Sequence, residues 1–289
     1  MKLVSCIYNE QARIGAIVDD TVVMAGNDLP NNMIDFLTTG SAAMDRLRTT
    51  IAQGGERIAI ADVTLCAPVP RPGKFLGIGL NYADHIGETG RERPEHPMFF
   101  TKQSTCVIGS NQAIHCPAIS EKVDYEGELG IVIGKRCKHV TFEKAHEVIA
   151  GYTICNDVTV RDWQQRSPTW TLGKSFDTHG PMGPWLVTAD EISDPHNLSL
   201  KTWVDAELRQ NANTGGMLFN CYEIIAYLSQ AMTLEPGDVI STGTPAGVGV
   251  KMNPRGYLKP GQTVRIEIEG IGMLVNPVVA EPNGFCVGS

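Results

Sequence analysis

Two acidic side chains stand directly before an apolar, β-type run in Asp124-Tyr-Glu-Gly-Glu-Leu-Gly-Ile-Val-Ile-Gly-Lys135. Because successive side chains of a strand point to opposite faces, Glu126 and Glu128 point the same way. A second apolar run, residues 148–155, ends in Asn156-Asp157 and offers a third carboxylate. If the two strands are neighbours, the three carboxylates form the oxygen-rich ligand set that Mg²⁺, Mn²⁺ or Ca²⁺ prefers.

Two glutamates at this spacing also fit the solvated face of an edge strand, which is the plainer interpretation. Against it, the run from Leu129 to Ile133 is continuously apolar and is typical of a buried strand, so the carboxylates lie where a core begins. Gly127, Gly130 and Gly134 leave little side-chain bulk there. Such glycines are expected where a ligand or another backbone comes close, although β-bulges explain them too.

Composition indicates a globular protein of one large or two modest domains. The chain has 289 residues, of which 42% are hydrophobic and 19% charged, as in soluble globular proteins. Its formal net charge is -8 and no stretch clusters Lys and Arg, which argues against a nucleic-acid partner.

The cysteines and the apolar runs indicate the cellular compartment of the protein. Eight cysteines are scattered without a Cys-X-X-Cys pair, so neither a zinc site nor a disulfide framework is indicated. They are typical of small core residues in a reducing compartment. The N-terminal apolar run is too short for a signal peptide, and no run approaches the roughly 18 apolar residues that cross a bilayer. We expect a cytoplasmic protein without a membrane partner.

Residues 1–66 are predicted to form a small N-terminal α+β domain. Three short strands, 2–8, 13–18 and 21–25, precede a helix with Ser41 as its expected N-cap and Gly54 at its end. The proline-rich stretch 67–73 predicts an extended linker, because a residue that precedes proline disfavours the helix. We place a boundary there and assign residues 74–289 to a second, larger domain.

The larger domain is predicted to be β-rich, with few helices. One helix is indicated by a capping box, Asn220 with Glu223, followed by apolar residues at helical spacing as far as Pro236. The expected strands are 74–80, 98–100, 106–108, 129–133, 148–155, 184–187, 199–204, 238–240 and 264–269.

Residues 81–96, the lid segment, contain a candidate base. On one helical turn His85 and Glu88 share a face, so the carboxylate can orient the imidazole; a plain surface pair is the alternative. Gly87 and Gly90, followed by a charged run, suit a lid over a pocket. The upstream glycines 77 and 79 suggest a dinucleotide fingerprint, but its third glycine position is Tyr82 and no clean βαβ unit follows.

Two further segments offer polar groups. Lys174 follows an apolar-aromatic patch and can face the acidic cluster, although most lysines lie on the surface. The glycine-rich stretch 241–249 lacks the Gly-Lys-Ser/Thr of a nucleotide-binding loop. Its hydroxyls at Thr242 and Thr244 and its amides can hold a carboxylate, or it forms only a tight turn.

Several segments together resemble the fumarylacetoacetate hydrolase family, and they follow one another along the chain in the order in which that family has them. They span about residues 74–280, and jointly they are specific although each alone is not. In the first 66 residues only the position matches the family's small N-terminal domain. The segments are Tyr125-Glu-Gly-Glu-Leu-Gly130, Asn156-Asp157 with Arg161-Asp162, Gly173-Lys-Ser-Phe-Asp177, Thr242-Gly-Thr-Pro-Ala-Gly-Val-Gly249 and Glu269-Gly-Ile-Gly272.

The resemblance implies a β-rich α+β fold, a mixed β-sandwich roll of the family's C-terminal type, and a homodimer. It implies one divalent cation per subunit, Mg²⁺ or Mn²⁺, held by Glu126, Glu128 and Asp157. The catalytic residues are then Lys174 with His85 and Glu88, the lid dyad of the acylpyruvase-like branch. The resemblance further implies Gln164 as a substrate contact and Thr244 as a carboxylate anchor, and Tyr82 is assigned as another substrate contact. Apart from the resemblance, the lid segment around Arg91 and Arg93 is expected to contact the distal end of the substrate, where an arginine suits a dicarboxylate, although lid arginines are commonly only solvated.

For function, the resemblance implies hydrolysis of a carbon–carbon bond in an acylpyruvate-type 1,3-diketo acid, such as fumarylpyruvate or maleylpyruvate, within aromatic catabolism. The substrate's carboxylate and 2-oxo oxygens chelate the cation, and His85 takes a proton from the attacking water. Oxaloacetate decarboxylation, isomerisation or decarboxylation of hydroxymuconate-type diacids, and lyase chemistry remain alternatives on the same fold. A non-catalytic keto-acid binder is a further alternative, but a passive binder needs no base in its loop.

Overall fold

The computed structural model describes residues 1–282, apart from the side chain of Thr89. Residues 283–289, which include Cys286 and the end of the predicted larger domain, lie outside the described residues. Within the described range, none of the helices is long and apolar enough to span a membrane.

The strands and helices in chain order have the following bounds. The strands are β1 (Lys2–Tyr8), β2 (Gln11–Val18), β3 (Thr21–Met24), β4 (Arg57–Ala59), β5 (Thr64–Leu65), β6 (Phe75–Gly79), β7 (Met98–Lys102), β8 (Val107–Ile108), β9 (Ile114–Cys116), β10 (Val123–Asp124), β11 (Gly127–Ile133), β12 (Ile149–Asn156), β13 (Thr159–Val160), β14 (Gly180–Thr188), β15 (Ser199–Val204), β16 (Glu207–Asn213), β17 (Val239–Ser241), β18 (Thr263–Ile268) and β19 (Gly272–Ala280). The α-helices are α1 (Met33–Thr39), α2 (Ser41–Ala52), α3 (Ala83–Thr89), α4 (Arg161–Gln164), α5 (Thr171–Lys174) and α6 (Cys221–Ala231). Short 3₁₀ turns lie at Ile60–Asp62, Ser104–Cys106, Phe142–Val148, Ala189–Glu191, Thr214–Gly216 and Gly249–Lys251.

Most strands belong to two sheets. The larger has the order β4-β3-β2-β1-β14-β12-β11-β17-β6-β7, with β5 paired to β1 and β8 to β14. Its pairs are antiparallel except for β17 with β6 and β14 with β8. The second sheet has the order β16-β15-β18-β19-β9 and is antiparallel except for β19 with β9. Strands β10 and β13 form a separate short pair. The predicted β-rich α+β fold with mixed sheets is confirmed.

The main core lies between the two sheets. Leu129 and Ile131 of β11 belong to one buried cluster with Leu200 of β15 and Ile266 of β18. These side chains alternate along their strands with residues of the opposite face, as the pleat requires. The carboxylates that precede Leu129 therefore lie at the edge of the largest apolar cluster.

The opposite face of the large sheet is covered by helices from the N-terminal part. Val132, which points away from the main core, packs in a second cluster with Met33 and Phe36 of α1 and Leu47 of α2. Strand β11 is therefore buried on both faces. This double burial explains why its sequence is continuously apolar instead of alternating.

The N-terminal strands continue the larger sheet. Strand β1 pairs antiparallel with β14, with Leu3 opposite Leu186. In the stretch between β5 and β6, Val69 is completely buried in the second cluster, although the backbone around it is irregular. The division into domains 1–66 and 74–289 stays a prediction.

Two helix predictions have different outcomes. The capping box of α6 is confirmed, since the Asn220 side chain accepts from the backbone of Glu223 and the Glu223 carboxylate accepts from the Asn220 N–H. Ser41 is not an N-cap but the first residue of α2, because Gly40 occupies the cap position. Helix α1 was not predicted, although Asn32 caps it through its side chain.

Candidate active site

Three carboxylates converge at the start of β11. Antiparallel pairing sets Gly127 opposite Asn156, which brings Asp157 beside Glu126 and Glu128. Ligand oxygens of these three side chains lie within 4.8 Å of one another, and all three side chains are buried. The predicted neighbourhood of the two strands is observed. We call Glu126, Glu128 and Asp157 the carboxylate triad.

Buried cations surround two members of the triad. Lys174 Nζ lies 2.7 Å from Glu126 Oε2 and 2.5 Å from Asp157 Oδ2. Lys102 Nζ lies 2.6 Å from Asp157 Oδ1, and Arg161 Nη2 lies 2.7 Å from Glu126 Oε1. Burial alone would raise the pKa of Glu126, but the Lys174 and Arg161 cations outweigh it and hold this pKa below its usual range. Glu126 is therefore kept ionised.

The third carboxylate, Glu128, is bound by neutral donors. Ser241 Oγ donates to Glu128 Oε2 at 2.5 Å, and the Gly243 N–H donates to the same oxygen at 2.8 Å. Burial, followed by repulsion from Asp157 and Glu126, raises the pKa of Glu128 well above its ordinary value. A divalent cation among the three carboxylates would offset both causes. The buried oxygen donors thus fit Mg²⁺ or Mn²⁺.

Lys102 was not predicted, whereas Lys174 was. Lys174 ends α5 and is 2% exposed, so it faces the triad as expected and does not lie on the surface. Lys102 ends β7, and its Nζ also donates to Val158 O at 3.4 Å and to the carbonyl oxygen of Lys174. A lysine at the end of a short strand usually reaches solvent. No local pattern therefore marked Lys102.

Asp124 and Arg161 connect the triad to the glycine-rich stretch. Arg161 Nε donates to Asp124 Oδ2 at 2.8 Å. The same carboxylate accepts from the backbone N–H groups of Gly249, at 2.8 Å, and Val250, at 2.9 Å. Arg161 stands in a segment that carried the family resemblance and Asp124 directly precedes one, but sequence reasoning gave neither of them a role.

The lid segment places the predicted His–Glu dyad at the site. His85 Nδ1 lies 3.2 Å from Glu88 Oε2 on helix α3, and the His85 side chain is largely buried. Glu88 Oε1 accepts from the Gly247 N–H at 3.1 Å. Glu88 therefore orients the imidazole and at the same time holds α3 against the glycine-rich stretch.

The two threonines of the glycine-rich stretch bind the backbone of β11. Thr244 Oγ1 donates to Gly127 O at 3.0 Å and accepts from Gln210 Nε2 at 2.7 Å. Thr242 Oγ1 donates to Leu129 O at 2.9 Å. Thr244 reaches the cavity described next, whereas Thr242 is completely buried.

A cavity of about 330 Å³ opens over the triad. Asp157 and Glu88 are not among the residues that line it, but each contacts one that is: Asp157 contacts Lys174, and Glu88 contacts His85. Tyr82 is 1% exposed and is not among the residues that line the cavity; its ring lies beside Gly216, and its role as a substrate contact stays a prediction. The predicted residues that line the cavity are His85, Arg91, Glu126, Glu128, Gln164, Lys174 and Thr244. Lining residues without a predicted role include Phe100, Trp170, Lys251 and Arg255.

Known proteins resemble this chain over most of its length. Residues 74–279 match the family model of the fumarylacetoacetate hydrolase C-terminal domain. A mitochondrial oxaloacetate tautomerase of Rattus norvegicus is 44% identical over 252 residues, which are 87% of this chain and 80% of that protein.

Solved structures with the same fold include enzymes of different reactions. The maleylpyruvate hydrolase of Sphingobium sp. SYK-6, in complex with manganese(II) and pyruvate, has a TM-score of 0.83 and 31% identity, and the match covers 98% of this chain and 100% of that one. The 5-carboxymethyl-2-hydroxymuconate delta-isomerase of Mycobacterium smegmatis has a TM-score of 0.79 and 36% identity, covering 97% and 100%. With the family match across residues 74–279, this similarity confirms the predicted resemblance: the chain belongs to the fumarylacetoacetate hydrolase family.

Proposed function

We propose that this protein is a divalent-cation-dependent hydrolase that cleaves an acylpyruvate-type 1,3-diketo acid into pyruvate and a carboxylic acid. One observation carries the proposal: His85, bonded to Glu88, shares a cavity with Lys174 and two triad carboxylates. A base, a metal-ligand set and a cation for developing negative charge are the groups that this cleavage needs.

The carboxylate triad would hold the cation, Mg²⁺ or Mn²⁺. When bound, it would supply Lewis-acid chemistry that polarises the 2-oxo acid group of the substrate. The manganese and pyruvate in the similar maleylpyruvate hydrolase support this arrangement.

His85 is the proposed general base. Because Glu88 Oε2 lies beside Nδ1, the hydrogen of the neutral imidazole sits on Nδ1 and Nε2 accepts a proton. Nε2 takes this proton from a water molecule whose oxygen attacks the distal carbonyl carbon. The carbon–carbon bond then breaks, its electron pair stays on the pyruvate fragment as an enolate, and the proton returns to the enolate carbon.

Lys174 stabilises the negative charge that develops on the enolate oxygen. The buried carboxylates around it outnumber the buried cations by one, so a divalent cation changes the net charge of the cluster from negative to positive. A positive cluster suits an anionic substrate. The carboxylates are Asp124, Glu126, Glu128 and Asp157, and the cations are Lys102, Arg161 and Lys174.

The test is pyruvate release from fumarylpyruvate, maleylpyruvate, acetylpyruvate and oxaloacetate, measured with Mg²⁺, with Mn²⁺ and with EDTA. We expect cation-dependent release of pyruvate together with the matching acid from at least one of the three acylpyruvates. Pyruvate from oxaloacetate alone would identify a decarboxylase and overturn the proposal.

A second candidate is the keto–enol tautomerisation of oxaloacetate, which the 44% identity to the rat tautomerase favours. His85 would move a proton between carbon 3 and solvent, and no bond between carbons would break. The enol of oxaloacetate absorbs in the ultraviolet, so its decay shows this activity directly. Accelerated decay without pyruvate release would favour the tautomerase over the hydrolase.

We also propose that the protein is a homodimer. Phe99 of β7 is 44% exposed and Leu172 of α5 is 58% exposed, and these two elements contact each other. Apolar side chains exposed together are common where subunits meet. Light scattering after size exclusion measures the subunit number; a monomer at micromolar concentration would contradict the proposal.

A further inference from the structure

We propose that Trp170 is a positioning residue that fixes Arg91 over the cavity, and that this pair selects substrates with a second anionic group remote from the carboxylate triad. The inference names a substrate class and a specificity element, and in that sense it rests on the proposed function. It depends on three observations: the backbone of Trp170, the space made for its ring, and the position of Arg91.

Trp170 has an unusual backbone conformation. It lies directly before α5 with φ 61° and ψ -14°, in the left-handed region. Bulky residues rarely adopt positive φ, and such strain persists where the surrounding structure holds it, often at functional sites. The strained backbone directs the indole ring into the wall of the cavity.

Two glycines of β6 make room for the rings of Phe100 and Trp170, which we call the aromatic wall. Gly77 and Gly79 lie on the same face of the strand. A Cβ on Gly79 would lie 2.6 Å from Trp170 Cζ3, and a Cβ on Gly77 would overlap the Phe100 ring. The Gly-Ile-Gly pattern that suggested a dinucleotide fingerprint is therefore explained by these two rings.

The aromatic wall carries a cation at each end. The Phe100 and Trp170 ring centroids lie 5.7 Å apart with the planes inclined at 57°. Lys174 Nζ lies 4.8 Å from the Phe100 centroid, at the triad end. Arg91 Cζ lies 5.5 Å from the Trp170 centroid, at the other end. A guanidinium held over an indole face loses freedom without losing its hydrogen-bond donors.

The acidic residues that line the cavity, Glu126 and Glu128, both belong to the triad, where Arg161 and Lys174 pair with Glu126. Arg91 lies on Trp170, away from these ion pairs, and Lys251 and Arg255 also line the cavity. A substrate whose 2-oxo acid group lies at the triad and whose far end is a carboxylate meets the Arg91 guanidinium, which can bind a carboxylate through two donors. A substrate with an uncharged far end gains nothing from Arg91.

The test compares two ligands of equal length that are not 1,3-diketones, 2-oxoheptanedioate (two carboxylates) and 2-oxoheptanoate (one). Their affinity for the Mn²⁺-loaded protein is measured by calorimetry. We expect the dianion to bind about tenfold more tightly than the monoanion, a difference typical of one charge-assisted contact. In Arg91→Gln and Trp170→Leu this preference should fall to within about twofold, while Trp170→Phe, which keeps an aromatic face, should retain most of it.

Arg255 supplies the matched control, because it is a cation that lines the same cavity. Trp170→Leu and Arg91→Gln should have non-additive effects on the affinity for the dianion, because both remove the same contact between Arg91 and the remote carboxylate. The effects of Trp170→Leu and Arg255→Gln should be additive.

Three results would overturn the inference: no dianion preference in the unsubstituted protein, a preference that survives Arg91→Gln, or equal weakening of both ligands by Trp170→Leu. Arg91 is exposed, so Arg91→Gln keeps the test valid if Trp170→Leu does not fold. Because the readout is binding, it is independent of turnover. A dianion preference without pyruvate release would contradict the proposed reaction only.

Discussion

The carboxylate triad and the lid segment are built in opposite ways. The triad carboxylates are buried and bound by side chains from β7, α4, α5 and β17. In the lid segment, helix α3 has seven residues, its N-cap Tyr82 makes no side-chain cap, and Glu88 holds it to Gly247. Asn81, before the helix, bonds to Phe219 and Thr242. Arg91, which follows α3, adds its contact with Trp170.

This difference separates two requirements of the site. Charges that bind a cation must be held together against their repulsion, and here a buried, ion-paired core does this. A base must meet its substrate and then release the product, which suits a short element with few contacts. Substitutions in the triad should therefore change stability together with activity, whereas substitutions in the lid segment should change mainly activity.

His85→Gln in the lid segment should give the largest effect. Loss of a general base should lower kcat about 10³-fold, while the free energy of unfolding should fall by only about 1 kcal/mol, because Gln fills most of the volume of the buried imidazole. Steady-state kinetics and urea titration measure the two quantities. Glu88→Gln, which keeps the shape of the orienting side chain, should lower kcat less than His85→Gln does. An unchanged kcat in His85→Gln would contradict the dyad assignment.

Lys102→Met beside the triad should destabilise the fold. It leaves the buried Asp157 carboxylate without one of its two cations, a loss that costs about 3 kcal/mol of unfolding free energy. Urea titration in EDTA measures this without any bound metal. Lys144→Met is the matched control, because the ion pair of Lys144 with Glu147 is on the surface, and it should leave the titration midpoint unchanged. A stable Lys102→Met would show that the triad does not depend on its cations.

Glu128→Gln should have opposite effects with and without metal. Without metal, it removes a carboxyl group whose ionisation is opposed by burial and by Asp157 and Glu126, so thermal unfolding should occur at a higher temperature than in the unsubstituted protein. With Mn²⁺, the loss of a ligand should weaken binding and so reduce the stabilisation by the metal. Equal shifts under both conditions would argue against Glu128 as a metal ligand.

The buried histidine His179 should give the smallest effect. Burial lowers the pKa of His179 to about 3, and its Nε2 donates to His115 O at 2.8 Å. The unfolded chain binds a proton near pH 6.5 that folded His179 does not, so this residue should lower the free energy of unfolding as pH falls below about 6.5. Between pH 7 and pH 5.5 the loss should be about 1 kcal/mol. His179→Gln should flatten this dependence in urea titrations at the two pH values, and an unchanged dependence in that variant would contradict this cause.

Several parts of the site were predictable because their causes are local. The period of two along β11 placed Glu126 and Glu128 on one face, and the apolar run that follows them predicted the buried strand. The spacing of His85 and Glu88 on one helical turn likewise predicted their contact. The capping box of α6 needed only Asn220 and its third neighbour along the chain.

Other parts depended on contacts between distant segments. Lys102 meets Asp157 across 55 positions of sequence, and nothing around Lys102 shows that its strand ends against the triad. Tyr82 lies in the lid segment but is completely buried, because the fold packs its ring beside Gly216. Trp170 and Gly79 become partners only when α5 and β6 come together.

Local sequence patterns alone predicted the acidic pair, the buried strand and the contact of His85 with Glu88. The order of several segments along the chain identified the family. The three local features depend on strand and helix periodicity, which acts over a few residues. The folded chain alone decided which cations neutralise the triad, which side chains line the cavity and where the aromatic wall stands. The physical reason is that burial and Coulomb energy depend on distance in space, and residues such as Asp157 and Lys102 are brought within 2.6 Å only by the packing of whole sheets.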